Sequence, residues 1–412
     1  MSMRLRFFAI FAVAIGLATA AALASTSVIL AKRLPERAID LPIVDGNAYV
    51  NGVFNDVASP DQSGKRSSPA VLRNAAVRTF LREPTNSNAI SLLAFTSNLN
   101  GDKTASRDLF GHALEQSQRN LLANLSLIED ASQNGRIGFI LERYDALLRT
   151  GGVASETLLD VMTTAMREEA ILPHMRSMLE ARPPWAEQFW LRVARSRPAL
   201  ANAARLRLDL LKDGYGNPAG NDAELVRRLA DDQQYSLAYQ LFRKLAPGGQ
   251  TAGNALRNAD FSATPAFVPF DWNTFSDVRY DAEVDPAIKA LVTSTESSRE
   301  TLVGRQLVRL NPGRYAIGMK VRDPRILKDY ATQLKMRCAG DGGEATLGTA
   351  KTPTIGSSNF VVSADCPFVW VEVWLRHSGP AGTTPTDDLE IARIDLALAS
   401  GSASAAKSTM PQ

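Results

Sequence analysis

Apolar residues recur at helical spacing from Val71 to about Leu245, and the pattern changes beyond Gly248. There, short alternating or apolar runs are separated by Gly, Pro, Asn and Asp, which is typical of strands. We predict strands at 306–310, 314–321, 332–338, 359–363, 369–376 and 388–398, and one helix at Asp285–Leu291. The pattern therefore predicts an α+β multidomain chain, in which an α-helical hairpin array precedes an antiparallel β-sandwich.

The first part of the helical region matches itself at an offset of 34 residues. Ala89, Leu93, Asn100, Gly101, Phe110 and Ala113 recur as Ala123, Leu127, Asn134, Gly135, Tyr144 and Leu147. This period predicts stacked helix hairpins, because a single hairpin cannot bury its apolar face alone. The two glycines mark the turns between helices, where a left-handed backbone is needed.

The second helix of each predicted hairpin resembles that of tetratricopeptide repeats. A small residue, an aromatic residue and another small residue stand at Ser106, Phe110 and Ala113, partly at Ile140, Tyr144 and Leu147, and in a degenerate copy at Ala238, Phe242 and Leu245. The resemblance covers residues 71–248 and implies a scaffold that binds a protein partner along its first helices. Asn98 and Glu129 are the candidate partner-binding residues, and surface solubility is the alternative explanation for both.

The N-terminus contains an uncharged stretch from Phe7 to Ala31, preceded by Arg4 and Arg6. Its length of about 25 residues suffices to cross a hydrocarbon core of ~30 Å as a helix. We therefore expect a signal-anchor over residues 1–33, while a cleaved signal peptide and a buried soluble helix remain alternatives. Residues 34–70 read as a linker and 401–412 as a disordered tail.

Charge and cysteine content narrow the class of protein. The 46 basic and 43 acidic residues give a net charge of +3, so nothing indicates a nucleic-acid surface. Cys338 and Cys366 lie together in the β-rich part, and a disulfide is the simplest reading in an exported chain. A reduced pair in the cytosol is the alternative. Anchor and bridge together predict an inner-membrane protein with a periplasmic body, or a periplasmic protein if the segment is cleaved.

The ends of the β-rich part resemble those of jelly-roll carbohydrate-binding modules. Such modules open on a short strand of the type found at Asn258-Ala259-Asp260-Phe261 and close on a strand introduced by paired acids, here Asp387 and Asp388. The resemblance implies a jelly roll over residues 254–400 and a structural calcium site that includes both aspartates. Solvated turn carboxylates are the alternative. The whole layout resembles that of bacterial envelope proteins connected with exopolysaccharide production.

Phe270, Asp271 and Trp272 are the first candidate glycan-binding residues. A flat aromatic ring can stack on a pyranose, and the neighbouring carboxylate can bind hydroxyls. The alternative is that both rings fill the seam between helices and sandwich.

Trp370, Glu372 and Trp374 are the second candidate glycan-binding residues, because alternate residues of a strand share a face. We expect an exposed aromatic and acidic face there, with Val369, Val371, Val373 and Leu375 pointing inward. A contact face for the helical domain or for another subunit is the alternative.

Catalytic chemistry has little support in the sequence. His112, His174 and His377 are isolated, and neither a nucleophile turn nor a carboxylate pair stands out. We therefore expect no catalysis and no cofactor beyond the calcium already mentioned. The sequence favours an envelope adaptor whose array binds a protein partner and whose sandwich binds polysaccharide, linked to exopolysaccharide assembly or export. A purely structural interaction module and a polysaccharide hydrolase are the alternatives.

Overall fold

The computed structural model describes residues 68–149, 155–216, 221–246, 248, 253–340, 346–351, 358–379, 385 and 387–399. The chain forms two compact units, one up to Leu158 with Ala181–Trp185, the other comprising Leu159–Glu180 and the chain from Ala186 onward. The predicted anchor, all of the linker up to residue 67 and the predicted tail lie outside the described residues. Within the described ranges, every helix falls short of the length or the apolar character that crossing a bilayer requires.

The helical part is an array, as predicted. The described residues form eleven α-helices: α1 (Pro69–Arg82), α2 (Ser87–Leu99), α3 (Lys103–Gln116), α4 (Leu121–Gln133), α5 (Ile137–Arg149), α6 (Ser155–Ala165), α7 (Leu172–Glu180), α8 (Ala186–Val193), α9 (Leu200–Lys212), α10 (Asp222–Asp231) and α11 (Tyr235–Leu245).

The repeat of 34 residues also appears in the helix caps. Asn86 and Asn120 stand one period apart and precede α2 and α4. The Oδ1 atom of Asn86 accepts the N–H of Ala89 at 3.1 Å, and that of Asn120 accepts the N–H of Ala123 at 2.9 Å. Each such cap stabilises a helix by about 1 kcal/mol. Both alanines are fully buried, which lets the helices approach closely.

The turns inside the hairpins follow the same period. Gly101 and Gly135 adopt φ angles of +85° and +66°, directly after Asn100 and Asn134, the C-cap residues of α2 and α4. Only glycine takes this conformation without steric cost, so the predicted role of both residues is confirmed.

A buried ion pair links α9 to α10. The Nε and Nη2 atoms of Arg207 donate to the carboxylate of Asp222 at 2.7 and 2.8 Å, and Nη1 donates to the carbonyl oxygen of Tyr215 at 2.7 Å. The side chain of Arg207 is buried, so these partners replace the water that the guanidinium loses. The sequence pattern contained no sign of this pair.

The C-terminal part is an antiparallel β-sandwich, as predicted. Its described strands form two five-stranded sheets, ordered β1-β4-β9-β6-β7 and β2-β3-β10-β5-β8. The strands are β1 (Asn273–Thr274), β2 (Tyr280–Asp285), β3 (Ala290–Thr295), β4 (Thr301–Arg309), β5 (Gly313–Val321), β6 (Tyr330–Cys338), β7 (Thr346–Lys351), β8 (Ser358–Val362), β9 (Phe368–His377) and β10 (Leu389–Leu398). The predicted strands correspond to β4, β5, β6, β8, β9 and β10.

The helix predicted at Asp285–Leu291 is wrong, because this segment joins β2 to β3 in a hairpin. The Oδ1 atom of Asp285 accepts the N–H of Ala287 at 2.8 Å, and Lys289 adopts a φ of +54°, so the chain turns instead of coiling. The strand expected at Asn258–Phe261 is wrong as well. Asn258 and Phe261 have positive φ angles, and the segment between them forms a turn.

The core lies between the two sheets. Val369, Val371, Val373 and Leu375 are fully buried on the inner face of β9, as the alternation predicted. A disulfide between Cys338 and Cys366, with a Cα–Cα distance of 5.6 Å, joins the end of β6 to the segment before β9. The predicted bridge is therefore confirmed.

Candidate functional site

The ring of Trp272 is not accessible to a sugar. Its side chain is 1% exposed, and its Nε1 atom donates to the carbonyl oxygen of Asn258 at 3.2 Å. Phe261 packs against the indole with ring centroids 5.5 Å apart. The turn carries Trp272 into the sandwich core, so the exposed platform expected there is not formed.

Phe270 is buried against the last helix of the array. Its ring stacks on Phe242 of α11, with centroids 4.8 Å apart and an interplanar angle of 20°, and meets the edge of Tyr239 at 5.5 Å. The alternative interpretation, a residue that fills the seam between helix and sandwich, therefore applies to Phe270.

Asp271 is occupied by protein partners. One carboxylate oxygen lies 2.7 Å from Nε of Arg257, and the other accepts the N–H groups of Ala266 and Phe267 at 3.0 and 2.8 Å. With the residue only 3% exposed, these three contacts leave no access for sugar hydroxyls. Asp271 instead holds the loop that places Phe270 against α11.

Trp370, Glu372 and Trp374 share the outer face of β9, as the alternation predicted. In register with Glu372, β4 places Arg305 on one side and β6 places Lys335 on the other. Directly opposed residues of neighbouring strands lie on the same face. The outer face of this sheet therefore brings two tryptophans together with cations that the sequence pattern does not indicate.

Glu372 is not exposed, contrary to expectation. The residue is 0% exposed, and its Oε1 atom lies 2.6 Å from Nη2 of Arg337 on β6. Its Oε2 atom accepts the indole N–H of Trp374 at 2.9 Å. A buried carboxylate needs such charged and hydrogen-bonded partners. Glu372 therefore fixes the orientation of Trp374 and does not present a charge to solvent.

Each tryptophan of this face is covered by a cation. The guanidinium carbon of Arg305 lies 4.2 Å from the ring centroid of Trp370, and Nζ of Lys335 lies 4.0 Å from that of Trp374. Both distances suit cation–π attraction. The partly exposed indoles consequently carry positive charge over their rings, which the spacing of the tryptophans alone does not indicate.

The last helix of the array covers one end of this face. Tyr235 and Tyr239 of α11 contact Phe368 with ring centroids 5.8 and 5.9 Å apart, and Tyr235 meets the edge of Trp370 at 6.5 Å. The alternative reading as a contact for the helical domain thus fits Trp370. The aromatic residues of α11 recur at helical spacing, a signal that could have revealed this seam.

The two candidate residues of the array line one cleft. Asn98 at the end of α2 and Glu129 on α4 border a cleft of about 230 Å³, together with Lys103, Arg107 and Asp130.

The carboxylate of Asp130 lies 2.6 Å from Nη2 of Arg107 and 2.5 Å from Nη2 of Arg136. The hydrogen bond from Arg107 holds the pKa of Asp130 below its usual value. This ion pair fixes one wall of the cleft and was not evident from the sequence.

Asp387 and Asp388 border a separate pocket of about 210 Å³. The hydroxyl of Tyr330 donates to the backbone oxygen of Asp387 at 3.0 Å. Burial, and then the nearby Asp388, raise the pKa of Tyr330 to about 12. Among the described residues, no group of three or more His, Cys, Asp or Glu is arranged to hold a metal ion. The calcium interpretation thus gains no support from the geometry.

Comparison with protein-family models finds no match. Comparison with curated proteins likewise finds none.

Proposed function

We propose that this protein is a non-catalytic envelope adaptor, anchored in the inner membrane by its N-terminal segment and with its body in the periplasm. Its array, of the tetratricopeptide type, binds a protein partner, and its sandwich, of the jelly-roll type, binds polysaccharide during exopolysaccharide assembly or export. The anchor falls on residues outside the described ranges and rests on the sequence alone.

The cleft lined by Asn98 and Glu129 carries the protein-binding part of this proposal. Leu121 and Leu125 are 46% and 45% exposed on α4, and Glu129 follows one turn further along the same helix. Residues four apart share a helix face, so an apolar stripe leads into the polar cleft. Such a surface suits an amphipathic or extended peptide segment, with apolar contacts for affinity and polar contacts for register.

Photo-crosslinking in the producing cells tests this part. A photoreactive amino acid at Asn98 or Glu129 should give one discrete adduct, identifiable by mass spectrometry. The control positions are His112 and Glu115, which are exposed on α3 and do not line the cleft. Adducts of the same mass and yield from the control positions, or none from the cleft, would refute a docking role for it.

The polysaccharide-binding part is supported by the open end of the outer face of β9. Trp374 is partly exposed there, and its ring is held by Glu372 and Lys335.

The non-catalytic part of the proposal is supported by the buried carboxylates. Asp271 and Glu372 each pair with an arginine, which suits structural roles better than acid catalysis.

A purely structural module is the second candidate, because Phe270 and Trp370 both contact α11. Affinity electrophoresis of the full chain on neutral and acidic polysaccharides separates the two functions. Retention that is lost in Trp374→Ala at unchanged melting temperature supports the adaptor. Migration that no polysaccharide slows leaves the structural module.

A further inference from the structure

We infer that the outer face of the sheet β1-β4-β9-β6-β7 recognises a carboxylated, anionic polysaccharide through its cations, and does not stack neutral sugars on bare tryptophan rings. This inference rests on the proposed polysaccharide-binding function and names the chemical class of its ligand.

The first argument for this inference is the balance of charge on the outer face. Among the side chains that the structure describes, this face carries five cations and two carboxylates, namely Arg305, Arg309, Lys335, Arg337 and Arg376 against Glu300 and Glu372. Because Glu372 is fully buried and bound to Arg337, its charge is compensated inside the protein. The charge that reaches solvent is therefore predominantly positive, which attracts polyanions.

The second argument is the position of Arg305. Its guanidinium lies 4.2 Å from the ring centroid of Trp370 and 5.5 Å from that of Phe275, so two aromatic rings hold it in place. Its buried Nε atom has no hydrogen-bond partner among the described residues. A guanidinium held in this way loses little conformational freedom when its donors meet a carboxylate.

Glu300 shows that the face accommodates a carboxylate. This residue directly precedes β4, and its two oxygens lie 2.8 Å from Nζ of Lys335 and 2.6 Å from Nε2 of Gln333. The hydrogen bond from Lys335 lowers the pKa of Glu300, so its carboxylate stays ionised. The carboxylate of a uronic acid would use the same two donors, so Glu300 competes with the ligand.

The same geometry disfavours neutral sugars. A pyranose that stacked on Trp370 or Trp374 would have to displace the cation from the ring, and with it the cation–π attraction. An anionic sugar gains from these cations, whereas a neutral one must remove them.

Binding of the full-length chain to polygalacturonate and to its methyl-esterified form tests the inference, because esterification removes the charge and keeps the sugar. We expect binding to polygalacturonate only. It should weaken strongly as the salt concentration is raised towards 1 M, where the Debye length falls to ~3 Å.

Three variants sharpen the test. The pair Arg305→Gln and Lys335→Gln should weaken binding to polygalacturonate about ten-fold, since a factor of ten needs only ~1.4 kcal/mol. Glu300→Gln should strengthen binding several-fold, because the variant removes a negative charge from the face and weakens the hold of residue 300 on Lys335. An unfolded protein cannot mimic this gain. The control is Arg314→Gln with Lys320→Gln, on exposed positions of β5 in the other sheet, which should leave binding unchanged.

The outcomes separate this inference from the proposed function. Equal binding to the ester, or unchanged binding to polygalacturonate after removal of Arg305 and Lys335, overturns the inference and keeps the polysaccharide function. Binding to neither polymer overturns the inference, and migration that no polysaccharide slows overturns the proposed function as well. Equal binding to duplex DNA would reveal a surface without sugar selectivity, and it likewise overturns the inference.

Discussion

Replacing Asp271 by alanine should destabilise the sandwich without a selective effect on glycan binding. The carboxylate compensates the charge of Arg257 at 2.7 Å and accepts two backbone N–H groups at 3.0 and 2.8 Å. In the variant, all three donors lose their acceptor in a partly buried place.

The expected cost follows from these contacts. Hydrogen bonds to a charged group contribute about 1.5–3 kcal/mol each, but three bonds to one group are not additive. Removing one partner of a buried ion pair costs about 3–5 kcal/mol. Arg257 keeps bonds to the carbonyl oxygens of Ala246 and Gly248, which limits the loss. We therefore expect the free energy of unfolding to fall by about 3–4 kcal/mol in Asp271→Ala and by less in Asp271→Asn.

Urea unfolding followed by tryptophan fluorescence measures this difference, since Trp272 is buried in the sandwich core next to the mutated residue. Asp281→Ala is the matched control, because Asp281 is exposed on β2 and should change the stability by less than about 0.5 kcal/mol. A midpoint for Asp271→Ala equal to that of Asp281→Ala would refute the reasoning. Loss of polysaccharide binding at unchanged stability would instead restore Asp271 as a sugar ligand.

Three further predictions concern the disulfide and two titrating groups. Replacing Cys338 and Cys366 together by alanine opens a loop with a sequence separation of 28 residues and should lower the free energy of unfolding by about 3–4 kcal/mol; an unchanged urea midpoint would contradict this. Arg107 lowers the pKa of Asp130 in the folded protein. The negative charge of Asp130 therefore stabilises the fold above the pKa of about 3.9 that an unfolded aspartate has, and this stabilisation is lost as the pH falls through the lower pKa of the folded state. The stability difference between the protein and Asp130→Asn should therefore be constant near neutral pH and shrink in acid, whereas a difference independent of pH in urea titrations would argue against the ion pair. Burial raises the pKa of Tyr330 to about 12. The stability that its neutral hydroxyl contributes is therefore complete below the unfolded pKa of about 10 and is lost as the pH rises towards 12. Tyr330→Phe should lose less stability over that interval, and parallel alkaline unfolding curves for the two proteins would count against this assignment.

Many regular elements of both parts could be predicted from the sequence, because each depends on a local period, but β1, β2, β3 and β7 were not among the predicted strands. The 34-residue match located the buried alanines Ala89 and Ala123 and the turn glycines Gly101 and Gly135, all found where the period places them. Alternation in β9 separated inward from outward side chains correctly. The mistaken helix at Asp285–Leu291 shows the limit, since a tight hairpin places apolar residues at spacings that resemble a helix.

The candidate site was predicted only in part. The spacing of Trp370, Glu372 and Trp374 placed them on one face, but their environment depends on strands that are distant in sequence. Arg337, which compensates Glu372, lies on β6, and it is brought to β9 by strand pairing alone. Alternation within one strand contains no information about that partner.

The sequence by itself determined which side chains of each helix and strand point the same way, and where the chain must turn. Only the tertiary structure decided what covers them. It buried Trp272 in the core, placed Phe270 under α11 and laid Arg305 and Lys335 over the tryptophans of β9. The physical reason is that periodicity arises from the geometry of one segment, whereas burial and charge compensation arise between segments that only the folded chain brings into contact.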